Sequence, residues 1–399
     1  MRVTRLAYLA THPIQYHAPL LRRIAAEPDI ALTAFFESDV STRGYFDREF
    51  GRTIEWDVKL LDGYRHQMLP ALGGIGNATP NFWRPVSVGL LRRLLLGRFD
   101  ALWVHGYARA HHMAMLAAAR TMGLRTLLRD DVWLQSRPRD AAWTANKARL
   151  WPLIDVSVSA YLAVGKQNAA YYRLMGARDE KIFTLPYAVD NAWFRRRIAA
   201  TTERSTELRR SLSIGADQLV FLQPAKLIPL KRHDLAIDAF AKLQQEGLAD
   251  RAVLLVAGDG SERPALERRI ADAGLGNVRM LGFQSQSEMA ALYGLADVCL
   301  LPSRWETWGL AVNEAMNGAC AIIASDRVGS APDLVQQGVN GLVVPHDDGP
   351  ALSAAIHRLA TAPDETRRMG RASLAMIDNW SFEQNVAGLR QALKLASAS

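Results

Sequence analysis

Short apolar runs alternate along this chain with longer stretches in which apolar residues recur every three or four positions. That pattern predicts strands buried on both faces, separated by amphipathic crossover helices. The first series of runs is Leu6 to Ala10, Ile30 to Phe36, Ala101 to Val104, Leu124 to Leu128, Ala160 to Val164 and Ile182 to Leu185. The second is Leu219 to Gln223, Ala252 to Ala257, Val278 to Leu281, Asp297 to Ser303, Cys320 to Ala324 and Leu342 to Val344. Helices are expected from Pro13, over Val88 to Phe99, about Ala108 to Met122, up to Met175, His233 to Glu246, up to Ala273, Ser287 to Tyr293 and Pro332 to Gln337. Strand, helix, strand in succession implies an α/β class with parallel pairing and right-handed crossovers. Residues 38 to 87 mix Gly, Pro, Arg and aromatic residues without clear periodicity and read as irregular, with one or two short strands. Tyr187 to about Thr202 loses the pattern again and is taken as the linker. The division is then 1–190, 191–378 and a final segment 379–399.

The chemistry concentrates where Glu306-Thr307-Trp308-Gly309-Leu310-Ala311-Val312-Asn313-Glu314 follows the Asp297 to Ser303 run. A strand, a loop and a helix delayed by Gly309 are the order that a nucleotide-phosphate site needs. If the stretch were all helical, the two carboxylates would lie about 12 Å apart and within about 80° of each other around the axis. They can then grip two parts of one elongated ligand. The backbone N–H groups of Trp308, Gly309 and Leu310 would lie between them at a helix N-terminus, which favours an anion. An ordinary solvated helix with two surface glutamates is the alternative for this segment alone.

Composition narrows the classes. The chain has 399 residues, enough for two cores, and its 49% hydrophobic and 22% charged content is ordinary for a globular protein. A formal net charge of +8 favours an anionic partner. Cys299 and Cys320 fall inside apolar runs and suit buried residues in a reducing compartment. The first apolar run is too short for a signal peptide and no run is long enough to cross a membrane, so a cytoplasmic location is expected. Val88 to Phe99 interleaves leucines with Arg92, Arg93 and Arg98; it fits a basic helix on an anionic membrane or a crossover helix packed on the sheet. Adjacent Asp130 and Asp131 could hold a metal but more often make a cap or loop, and no metal or other cofactor is expected. His12 stands at the carboxyl end of the first run, the edge where open α/β sheets bind ligands, with Gln15 just beyond; capping of the turn is the equal alternative for His12.

Four stretches, in this order and spacing, resemble the retaining nucleotide-sugar glycosyltransferases of family 4. Ala225-Lys226-Leu227-Ile228-Pro229-Leu230-Lys231 looks like that family's Gly-Arg-Leu-x-x-x-Lys segment. Ala257-Gly258-Asp259-Gly260 matches its Gly-x-Gly turn, Leu281-Gly282-Phe283 its base-side loop, and Glu306 to Glu314 its paired glutamates. The resemblance implies a GT-B fold of two facing Rossmann-like domains, with the helix after Trp380-Ser381-Phe382 crossing back onto the first domain.

It also implies roles. Glu314 would bind the ribose and Glu306 the donor sugar, with Thr307, Trp308, Gly309, Leu310, Gly258 and Phe283 completing the donor site. Lys226 and Lys231 would flank the diphosphate, whose charge grows as the glycosidic bond breaks. His105 would stand near the reacting sugar, and His12, Gln15 and Asp130 would lie on the acceptor side. Three departures are present, the first two being that Lys226 stands where Arg is usual and Ala225 where Gly is usual. The Gly-rich loop typical after the first strand is replaced by Thr11-His12-Pro13-Ile14-Gln15. The implied partners are a nucleotide-diphosphate sugar and a saccharide or lipid-linked acceptor of the cell envelope, with peripheral contact to the inner membrane leaflet. The same fold could serve a nucleotide-sugar epimerase or a glycan phosphorylase. A nucleic-acid-binding protein would need basic residues clustered with aromatics, whereas these arginines are scattered, so no nucleic acid is expected.

Overall fold

Both series of apolar runs form parallel sheets. The computed structural model describes residues 2–47, 52–54, 58–72, 82–83 and 86–395. Its first sheet contains β1 (Thr4–Ala10), β2 (Ile30–Phe36), β3 (Arg65–Met68), β4 (Ala101–His105), β5 (Arg125–Arg129), β6 (Ala160–Ala163) and β7 (Ile182–Thr184), ordered β7-β6-β5-β4-β1-β2-β3. The second contains β8 (Leu219–Pro224), β9 (Ala252–Ala257), β10 (Val278–Gly282), β11 (Val298–Leu301), β12 (Ala321–Ser325) and β13 (Gly341–Val344), ordered β10-β9-β8-β11-β12-β13. Successive side chains point to opposite faces, and each face is buried. Leu6 and Tyr8 enter one core and Ala7 and Leu9 another, just as Phe221 and Leu222 separate in the second domain. Strand order reverses between β1 and β4 and again between β8 and β11. The crevice beyond the carboxyl ends at such a reversal is where open sheets bind ligands.

The chain passes from the first core to the second after Tyr187 and returns after Trp380. The last helix, Phe382–Leu395, places Val386, Leu389 and Leu393 in the same core as Leu6 and Tyr8. A Cβ at Gly388 would lie 2.0 Å from the Thr184 carbonyl oxygen, so the glycine permits the helix to sit directly on β7. Arg390 secures it through Asp29 at 2.6 Å. This is the crossing-back helix that the resemblance implies.

Several local expectations are corrected. The first helix starts at Ala18 rather than Pro13, because residues 14–17 make a turn closed by His17 N–H on the Ile14 carbonyl at 3.0 Å; Pro19 takes the early helical position. The supposed linker contains a helix, Asn191–Ala200, whose start is capped by Asp190 accepting from Trp193 N–H at 2.8 Å. Its three arginines masked a face that buries Phe194. Residues 38–87, part of which lies outside the described residues, supply more than two strands, and Arg65–Met68 joins the sheet edge despite its polar sequence. Val88 to Phe99 yields a helix over Leu90–Leu96 with Leu90 and Leu94 buried, while Leu95 and Leu96 remain exposed. A helix over Ala141–Asp155 has no counterpart in the sequence reading: of its residues only Trp151 is buried, so no apolar stripe announces it.

Candidate functional site

The end of β8 and the end of β11 face each other at the second reversal of strand order. After β8 the chain runs through Ala225 and Lys226 into a tight turn at Pro229–Lys231, where Gln223 Nε2 donates to the Lys231 carbonyl at 2.9 Å. Neighbouring β9 is followed directly by Gly258, where a Cβ would meet the Ala225 oxygen at 1.9 Å. That glycine is therefore required by backbone packing beneath the Lys226 loop. The Lys231 ammonium donates to the Glu306 carboxylate, which also accepts from Ser303 Oγ at 3.0 Å. A cavity of about 440 Å³ opens there. Lys226, Lys231, Glu306 and Thr307 line it from the second domain; Tyr16, Asp131 and Tyr187 line it from the first.

Gly309 closes the far side. Its φ of 91° is left-handed, and a Cβ would lie 3.0 Å from Val328 Cγ1, so glycine suits the position on both counts. It begins the helix Leu310–Asn317, and the N–H groups of Gly309 and Leu310 have no acceptor among the described residues. They border the cavity as an anion site would require. The Trp308 side chain is buried: its Nε1 donates to Asn313 Oδ1 at 2.8 Å and its ring stacks on Trp380. Gly258, Phe283 and Glu314 do not border this cavity. Glu314 accepts from the Tyr293 hydroxyl at 2.8 Å, and burial pushes its pKa up to about 7 against that hydrogen bond.

The first domain contributes a second, larger groove of about 900 Å³. His105, Asp130 and Asp131 lie in its wall, and Asp131 borders both spaces. His105 packs edge-on against His17 with ring centroids 4.3 Å apart; burial and the nearby Arg129 hold its pKa well below the ordinary value, so it is a neutral imidazole. Asp130 accepts from Asn168 Nδ2 at 2.9 Å and from the Tyr172 hydroxyl at 3.1 Å. Burial and Asp131 push its pKa up to about 6. Asp131 is also raised by burial, with the Thr307 and Tyr187 hydroxyls opposing. His12 bonds to Thr11 Oγ1 at 2.9 Å, and neither it nor Gln15 borders the cavity or the groove. Across the domains, Trp133 Nε1 donates to the Glu306 carbonyl at 2.9 Å and Lys166 N–H to Asp333 at 2.9 Å.

The sequence reading thus located seven residues that converge on one cavity: Lys226, Lys231, Glu306, Thr307, Trp308, Gly309 and Leu310. It considered Asp131 only as a cap or loop residue or, less often, a metal ligand, and it missed Tyr16 and Tyr187. Nothing in their local pattern marks them; only the docking of the first domain does. Among the described residues no group of three or more His, Cys, Asp or Glu gathers into a metal site, and no helix is long and apolar enough to cross a membrane.

Residues 204–376 match the family described as glycosyl transferases group 1. Alpha-D-kanosaminyltransferase of Streptomyces kanamyceticus is 30% identical over 191 residues, which cover 48% of this chain and 48% of that protein. D-inositol 3-phosphate glycosyltransferase of Saccharomonospora viridis is 30% identical over 235 residues, covering 57% and 53%. The chain spans about half the length of these curated relatives. The crystal structure of HepE from Anabaena, in complex with UDP, matches at a TM-score of 0.71 with 15% identity, covering 99% of this chain and 100% of that one. The architecture is that of the GT-B glycosyltransferases, two parallel-sheet domains facing each other across a cleft.

Proposed function

We propose that the chain is a retaining, metal-independent glycosyltransferase that moves a sugar from a nucleotide-diphosphate donor to an acceptor hydroxyl, the acceptor being a lipid-linked or cell-envelope saccharide. The observation that carries the reading is the Lys231–Glu306 pair at the reversal of strand order, with Lys226 and a helix N-terminus on the same cavity. The match over residues 204–376 supports it, as does a GT-B fold shared with a UDP-bound structure.

In this reading the donor diphosphate lies against Lys226, Lys231 and the amides of Gly309 and Leu310. As the glycosidic bond breaks, negative charge grows on the leaving diphosphate, and cations fixed in place stabilise that state more than the ground state. Glu306, relieved of Lys231, accepts hydrogen bonds from the sugar hydroxyls. Glu314 gives up Tyr293 for the ribose. The acceptor hydroxyl enters from the first domain beside Asp131 and attacks from the face that the diphosphate leaves, which retains configuration. Closure of the domains, through contacts such as Trp133 to Glu306, keeps water from the donor. The chain would act on the cytoplasmic side, in peripheral contact with an anionic membrane. Incubation with a panel of nucleotide sugars tests the reading: nucleoside diphosphate should be released only when an acceptor is added, and equally in the presence of chelator. Release that needs no acceptor, or that stops in chelator and returns with magnesium, contradicts it.

A further inference from the structure

The larger groove has a composition that the reaction alone does not require. Residues of the helices Ala110–Thr121 and Ala141–Asp155 line it, and Met113, Leu116, Trp143, Leu150, Leu153 and Ile154 give it a broad apolar wall. Leu150 and Leu153 are 60% and 72% exposed, and Val156 extends the same ridge outward. Spacing of three residues puts these side chains on one strip of the helix, so the mouth of the groove is an apolar lip in contact with solvent. A sugar hydroxyl has no use for such a wall; a hydrocarbon chain does.

Cations collect beside it. Lys147, on the groove wall, donates to the Tyr171 hydroxyl at 2.7 Å and to the Tyr107 hydroxyl, and its ammonium lies 4.3 Å from the Tyr107 ring centroid. Its hydrogen-bond partners are both hydroxyls, and among the described residues it makes no ion pair. Burial and the neighbouring Arg139 and Arg137 push its pKa down to about 8, with Asp130 opposing. Arg137 borders the groove, is exposed and makes no ion pair among the described residues. Arg139 lies 5.2 Å from the Trp143 ring, and its Nε is buried without a partner. Three cations without a paired carboxylate, one of them desolvated, favour an anionic ligand. Asp130, whose charge opposes them, is held by Asn168 and Tyr172.

We propose that this groove holds a lipid phosphate: the hydrocarbon chain lies along Met113, Leu116, Leu150 and Leu153, and the phosphate is bound by Arg137 and Lys147. This rests on the glycosyltransferase reading and names the acceptor's class. A chain anchored there brings the head of an amphipathic acceptor to Asp131, the residue shared with the donor cavity. Calorimetric titration of the full chain with farnesyl phosphate, farnesol and inorganic phosphate, each below any aggregating concentration, tests it. Farnesyl phosphate should bind at least about tenfold more tightly than either of the others. Arg137→Gln should weaken farnesyl phosphate about tenfold and leave farnesol unchanged. Leu150→Ser combined with Leu153→Ser should weaken both; these positions are exposed, so folding is not at stake. Farnesyl phosphate that binds no better than farnesol or inorganic phosphate, or that ignores these substitutions, overturns the proposal. If the same preparation still binds a nucleoside diphosphate, only the acceptor class falls; if it binds neither, the glycosyltransferase reading falls as well.

Discussion

The ammonium of Lys231 rests on the carboxylate of Glu306, tying the loop after β8 to the loop after β11 across the point where strand order reverses. Each side chain retains 16% exposure, so the pair is only partly hydrated and open to exchange for a ligand. A diphosphate can take the lysine and sugar hydroxyls the glutamate. Lys231→Ala should therefore lower kcat by about 10²- to 10³-fold, the scale for loss of one preorganised transition-state donor, with a smaller change in KM. Steady-state kinetics check this, and an equal loss in KM with kcat intact would reassign Lys231 to ground-state binding.

The two glutamates should divide the donor. Glu306→Ala should spare nucleoside diphosphate affinity and weaken the whole nucleotide sugar. Glu314→Ala should weaken both, by about 1.5 to 3 kcal/mol, as expected for loss of a hydrogen bond to a charged group. Calorimetry on the two variants separates the roles; equal losses of nucleoside diphosphate affinity would contradict them.

Glu314 also predicts a pH dependence. Its pKa of about 7 in the free protein means that ribose binding to the carboxylate must expel a proton. Nucleoside diphosphate affinity should rise as pH rises toward about 7 and level off above it. In the free protein, burial favours the neutral acid, so the stability it contributes is present below the unfolded-state carboxylate pKa and is lost as pH rises through about 7. Glu314→Gln should flatten both dependences, leaving only the ligand's own phosphate titration. Identical slopes in the two proteins would show that Glu314 does not titrate on binding.

Asp131 should separate donor from acceptor. It borders both the cavity and the groove, and its partners Thr307 and Tyr187 come from opposite sides of the cleft. Asp131→Asn keeps the shape and removes the charge, so kcat/KM for the acceptor should fall at least about tenfold while nucleoside diphosphate affinity stays as in the parent. A parallel loss of nucleoside diphosphate affinity would make Asp131 part of the donor site.

The fold was legible because strands buried on both faces leave nearly continuous apolar runs, from Leu6 to Ala10 through Leu342 to Val344. The loops around the cavity were legible for a different reason: Lys226, Lys231 and Glu306 to Leu310 follow particular strand ends, so the order and spacing of the motifs that carry the resemblance brought them together. What escaped depended on docking. Asp130 and Asp131 are adjacent in sequence, yet Asp130 is bound by Asn168 and Tyr172 while Asp131 borders the cleft. The helix Ala141–Asp155 exposes Leu150 and Leu153, so the amphipathic pattern that marks an ordinary crossover helix is absent. Trp308 reads as a contributor of its backbone N–H alone, and nothing in the motif shows that Asn313 and Trp380 hold its side chain in the core.

The central claim is that a nucleotide diphosphate binds the cavity between β8 and β11, and thermal unfolding with a panel of nucleoside diphosphates, run on the parent chain and on Lys231→Ala, tests it most directly. At about 100 times its dissociation constant, the correct nucleoside diphosphate should add about 2.7 kcal/mol of stability to the parent chain, and Lys231→Ala should lose much of that gain. No stabilisation by any nucleoside diphosphate, or a gain that Lys231→Ala leaves untouched, would contradict the account.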